Sequence, residues 1–179
     1  WLVKEYIPKG QITLLAGDGG SGKTSVVCQI VASVSSGKSC FMLEDTIFTN
    51  IERQEPQTVL FFSAEDSMQH VLKKRLRLNG AVMENIKSID PSDDRFERLK
   101  FDDPFLGELI KEHRPALVIF DPIQSFIPWK ADLSKRNQVR QSLTNLIKYG
   151  EKYGCTFLII VHTNKQSNVW GRKRIADTA

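Results

Sequence analysis

Apolar residues in this chain collect into short unbroken runs, separated by stretches in which they recur every three or four positions. The runs are Ile12 to Ala16, Thr58 to Phe62, Ala116 to Phe120 and Thr156 to Val161. Runs of this kind, bounded by turn residues and helical patterns, predict strands buried on both faces. Asn85 to Ile89 predicts a further short strand. Between them, Lys23 to Ser36 places Val26, Val27, Ile30, Val31 and Val34 on one helical face, and Gly37 supplies a stop. Asp66 to Asn79 predicts a helix with Asp66 and Gln69 in capping-box spacing and Gly80 closing it. Asp103-Pro104 opens a helix running to about His113. Ser134 to Tyr153 reads as a long amphipathic helix with Val139, Leu143, Leu146 and Ile147 inward. Phe41 to Gln57 has no clean period and is read as a surface excursion or hairpin. Continuous apolar strands alternating with helices indicate one α/β domain, a mainly parallel sheet with helices on both faces.

Composition narrows this picture without redirecting it. A chain of 179 residues supports one domain with a substantial core. Hydrophobic content of 41% with 26% charged residues is ordinary for a soluble globular protein. The apolar runs are far too short to span a bilayer. No basic-then-apolar signal segment opens the chain; it starts at Trp1 rather than Met, so that start is read as a boundary and export stays open. Cys28, Cys40 and Cys155 show no CxxC pairing. An odd, scattered set argues against a disulfide framework or zinc site and fits a reducing cytoplasm, with the thiols as small buried residues.

The formal charge of +4 and pI near 9.0 are mildly basic. Their distribution says more than their sum. Positive charge concentrates in Lys73 to Arg77, Lys130 to Arg140 and Gly171 to Arg174, whereas Glu44 to Glu55 and Asp90 to Glu97 lean acidic.

Between the first strand and the first helix stands "GDGGSGKTS": Gly17, Asp18, Gly19, Gly20, Ser21, Gly22, Lys23, Thr24 and Ser25. Gly17-x-x-x-x-Gly22-Lys23-Thr24 matches a phosphate-binding loop in its proper context, strand before and helix after. Glycines let backbone N–H groups approach phosphate oxygens, and the helix that follows turns its positive end toward the same anion. Lys23 is expected to reach the β- and γ-phosphates of ATP and Thr24 to ligate Mg2+. The bland alternative is a glycine-rich turn that binds nothing.

Three further residues end strands where ligands of open α/β sheets sit. Asp121 follows "ALVIF" and is assigned to Mg2+, directly or through water, against the alternative of a turn aspartate before proline. Pro122 follows it, so a general base must come from elsewhere. Glu65 in "VLFFSAED" would overhang the γ-phosphate if its strand neighbours that of Asp121. Asp66 competes, but its capping pattern offers a structural job, and Glu65 is preferred. His162 ends "LIIVH" and could donate to the γ-phosphate and report its loss, or be structural. Lys165 could serve the same site, a neighbouring subunit or DNA.

Taken in order, "WLVKEYIPKGQITLLAGDGGSGKT", "VLFFSAED", "LVIFDP" and "VHTNK" resemble the RepA-like ATPases of the RecA superfamily, which include ring-shaped replicative helicases of plasmids and phages. The resemblance covers nearly the whole chain. It implies a RecA-like P-loop NTPase fold with strands, numbered along the chain, in the order 3-2-4-5-1. It also implies the phosphate loop at Gly17 to Thr24, a catalytic glutamate at Glu65, a magnesium aspartate at Asp121 and a histidine sensor at His162. Such a core normally continues with further strands and an arginine that completes a neighbour's site, so the sequence is expected to be part of a longer protein, with the Ile12 strand leaving an open edge. Arg172, Lys173 and Arg174 fall where such relatives often carry loops near a ring's central channel; a solvated basic turn explains them equally well.

The resulting expectation is an ATPase motor, a helicase or translocase working on single-stranded DNA as a hexameric ring in replication. A nucleotide-switched regulatory ATPase without unwinding is the alternative. A small-molecule kinase ranks last, because no segment reads as an arginine-rich lid or acceptor pocket. Without the neighbour's arginine, this chain alone is expected to bind nucleotide and turn it over poorly.

Overall fold

The structure is a computed structural model and describes residues 1–38, 55–128 and 136–162, with side chains of 136–139 left aside. Among the described residues there are five strands: β1 Ile12–Gly17, β2 Val59–Ser63, β3 Ile86–Lys87, β4 Leu117–Asp121 and β5 Thr156–His162. Four α-helices among the described residues accompany them: α1 Lys23–Ser36, α2 Lys73–Leu78, α3 Pro104–His113 and α4 Arg136–Tyr153. All strand pairs are parallel, in the order β3-β2-β4-β5-β1. This is the α/β architecture of a RecA-like P-loop NTPase, in the strand order that the resemblance implies.

Side chains alternate across the sheet and divide the core into two layers. Phe61, Ile119, Leu158 and Ile160 face α1 and α2, where Val27, Val31, Leu72 and Leu76 meet them. Phe62, Phe120, Phe157 and Ile159 face the other way, toward Leu106 and Ile110 of α3 and Leu146 of α4. That second layer is rich in aromatic rings, with Phe101 edge-on to Phe120 at 4.9 Å between centroids. The N-terminal Leu2, Val3 and Ile7 fold into the first layer through a tight Val3–Ile7 bridge.

Local signals account for α1 and α3. α1 ends on Gly37 at φ 69°, and α3 begins with the Asp103 side chain accepting a hydrogen bond from the Phe105 N–H. Two expectations need correction. The Asp66 to Asn79 helix is not capped by Asp66: Ser67 is the cap, accepting from His70 N–H, and the first turn, Met68–Leu72, is a π-turn that precedes α2. The Ser67 carbonyl accepts from both Val71 and Leu72, which widens that turn. In α4, Leu146 is buried and Leu143 partly so, but Ile147 is 48% exposed. Residues 41–54 of the expected excursion, and the Val139 side chain, lie outside the described residues.

Among the described residues β1 lies at one end of the sheet, and Leu14 on it is 50% exposed. No described helix is long and apolar enough to cross a membrane.

Candidate nucleotide site

Register assembles the site. Gly17, the last residue of β1, is paired with His162, the last of β5, and Ser63 ending β2 is paired with Asp121 ending β4. Parallel strands therefore deliver the loop, the aspartate and the histidine to one carboxyl edge, and Glu65 follows two residues beyond β2. The chain crosses tightly there: Ala64 N–H donates to the Asp121 carbonyl at 2.8 Å, and Asp66 N–H to Ser63 Oγ at 3.0 Å.

The loop wraps closely. A Cβ on Gly17 would lie 2.9 Å from Ser21 Oγ, and Gly22 caps α1 at φ 86°, a conformation that side-chain-bearing residues rarely adopt. No side chain caps the α1 N-terminus, and its first turn carries no acid. The positive end of the helix dipole there favours an anion. A Cβ on Gly19 or Gly20 would meet nothing within 4 Å, so the backbone there borders open space. Lys23 is 8% exposed, and its Nζ donates to the Gly17 and Asp18 carbonyls at 2.8 Å each.

Three carboxylates share the neighbourhood. Asp121 is 2% exposed, and its carboxyl is pushed up to about 7. Burial is the first cause, then the negative charges of Glu65 and Asp66, with Lys23 opposing. A carboxylate so disfavoured by its surroundings is one that a divalent cation would satisfy. One ligand atom from each of Glu65, Asp121 and His162 falls within 4.8 Å of the others. His162 Nε2 is 3.2 Å from Glu65 Oε2, yet it is buried without an aligned hydrogen-bond partner. The carboxylate oxygens of this group suit Mg2+, which favours carboxylates, phosphates and retained waters over imidazole.

Glu65, Asp121 and His162 are thus brought together beside the loop and Lys23. Lys165, Arg172, Lys173 and Arg174 lie outside the described residues. Sequence reasoning missed Ser63, whose buried hydroxyl orders the turn to Glu65, and Arg75, which pairs with Asp66 at 3.6 Å. A serine ending an otherwise apolar strand just before acids was the signal for the first; nothing local pointed to the second.

A family described as an AAA domain matches residues 1–168. The DNA repair protein RadA of Bacillus subtilis (strain 168) is 22% identical over 171 residues, which is 92% of this chain and 30% of that protein. The chain thus spans less than a third of the length of that relative.

Proposed function

Because the chain belongs to the AAA domain family, as a RecA-like P-loop ATPase, we propose that it is the ATP-hydrolysing core of a motor acting on single-stranded DNA. The observation that carries the reading is the meeting of Glu65, Asp121 and His162 at the strand ends beside the phosphate loop. A site for binding alone needs the loop and a magnesium carboxylate. A second carboxylate and an imidazole in the same few ångströms suit water activation and a contact that senses the γ-phosphate.

In this reading the loop N–H groups from Gly17 to Ser25 hold the phosphates. Lys23 exchanges the Gly17 and Asp18 carbonyls for phosphate oxygens, and Thr24 with Asp121 holds Mg2+. Magnesium supplies neutralisation of the charge on the transferred phosphoryl group. Glu65 orients the attacking water and takes its proton. His162, 3.2 Å from Glu65, donates to the γ-phosphate and couples its loss to the Glu65 position. Lys165, Arg172, Lys173 and Arg174 are proposed as DNA or inter-subunit contacts, and a hexameric ring of the RepA-like helicase type, serving replication in the cytoplasm, as the working assembly. Support for these last points comes from the sequence pattern.

A second reading, a nucleotide-switched regulator with slow turnover, draws on the proximity of Glu65 and His162, which sets the proposed base 3.2 Å from a neighbouring side chain. ATP hydrolysis by the full-length protein, with and without single-stranded DNA and beside Lys23→Ala, separates the two. Severalfold stimulation by DNA with a dead Lys23→Ala control supports the motor. A low rate indifferent to DNA removes the helicase and leaves the switch.

A further inference from the structure

On the opposite side of the sheet from β1, pairing runs out early. β3 pairs with β2 only at Val59–Ile86 and Leu60–Lys87, while β2 continues to Ser63. A cavity of about 430 Å3 opens where the neighbouring strand ends. Its lining includes none of the phosphate loop, Glu65, Asp121 or His162.

The floor is apolar: Leu60, Phe62 and Ile89, all buried. Met68, Met83 and Leu109 form walls, and the unbranched thioethers can adjust to an occupant's shape. Every ionisable residue among the described lining residues is basic: Lys73, Lys87, Arg95 and His113, from four different segments. Asp93 offsets Arg95 at 2.6 Å, and His113 lies 3.9 Å from Glu112. Lys87 Nζ donates to the Glu84 carbonyl, which positions the ammonium without neutralising it. Lys73 and Lys87 therefore leave the opening net positive above an apolar floor.

We propose that this cavity binds a small amphipathic anion, an apolar body carrying one acidic head group. The body would displace water from Leu60, Phe62 and the two methionines, and the head would sit between Lys73 and Lys87. The volume falls in the range of small-ligand pockets, about 300–1,000 Å3. Nucleic acid fits poorly, because among the described lining residues no Tyr or Trp is present and the Phe62 ring is buried at the floor, offering bases no stacking face.

The test uses the full-length protein with methionine methyl groups labelled for NMR, titrated with decanoate and with decanol as its uncharged counterpart. Met68→Leu and Met83→Leu assign the signals. Expected is saturable, single-site movement of the Met68 and Met83 resonances with decanoate, and binding weakened about tenfold by Lys73→Glu. Leu109→Trp, at a partly exposed wall position, should fill the cavity and remove binding while nucleotide binding persists. Equal binding of decanol, indifference to Lys73→Glu, or no saturable shift overturns the proposal. So does movement of the same resonances with protein concentration alone, which would make the cavity a contact between copies of the chain.

Discussion

His162 Nε2 stands 3.2 Å from Glu65 Oε2 across the ends of two strands, β5 and β2, that are separated in the sheet by β4. The proposed base and sensor are therefore in reach of each other before any phosphate arrives. Glu65→Gln keeps the shape and loses the proton acceptor. It should bind ATP normally and lower single-turnover hydrolysis on the order of 100-fold or more. An unchanged rate would remove Glu65 from the chemistry.

Lys23 is held by the loop's own carbonyls, so its ammonium is ordered at the mouth of the loop. Lys23→Ala should fold and lose most nucleotide affinity. Wild type at 100-fold excess over its dissociation constant gains about 2.7 kcal/mol from a ligand that binds only the folded state. The variant's melting temperature should stay unmoved by the same ATP concentration in thermal denaturation.

Asp121 holds its proton to about pH 7, against 3.8 for an ordinary aspartate. Between those values the folded state binds more protons than the unfolded chain. Stability of the nucleotide-free protein is thus fully present below about pH 3.8 as far as Asp121 is concerned, and is lost as pH rises through about 7. Asp121→Asn, neutral throughout, should flatten this slope in urea unfolding across that window. Magnesium with nucleotide should stabilise wild type more above pH ~7 than below it, because the cation needs the carboxylate.

Two glycines should separate folding from binding. A Cβ on Gly150 of α4 would lie 2.5 Å from the Gly10 carbonyl oxygen, and backbone there has little room to yield. Gly150→Ala should cost roughly 1–3 kcal/mol in chemical unfolding. A Cβ on Gly19 meets nothing within 4 Å, so Gly19→Ala should leave unfolding unchanged and weaken ATP binding, since its methyl would occupy space a phosphate uses.

On α4 the buried face can be tested directly. Leu146→Ala should cost about 2–5 kcal/mol, and Ile147→Ala much less because the side chain is half exposed. Equal losses would mean that Ile147 is packed as its periodicity suggests.

Much of this protein was legible in the order of its residues. The bounds of α1, the Asp103 cap of α3 and the phosphate loop between β1 and α1 depend on interactions a few positions apart, so the local pattern carries their energies. Unbroken apolar runs marked β2, β4 and β5 as buried on both faces, whereas β1, at the end of the described sheet, has no buried residue and departs from that expectation; acids or histidine at strand ends marked the candidate site. Other features depend on residues far apart in the chain, and tertiary structure decided them. Only pairing puts Ser63 opposite Asp121 and Gly17 opposite His162, because a parallel register is set by packing of both faces at once. The elevated proton affinity of Asp121 needs burial and two acids brought from β2's end. Ser67 takes the cap, while the Asp66 carboxylate lies 3.6 Å from Arg75, a residue nine positions on. Ile147 is half exposed although its spacing groups it with Leu143 and Leu146, because which helical face is covered depends on how α4 docks on the sheet. The cavity beside β3 exists because that strand stops pairing after two residues, a length that depends on how the chain between α2 and α3 packs, not on any motif in its sequence.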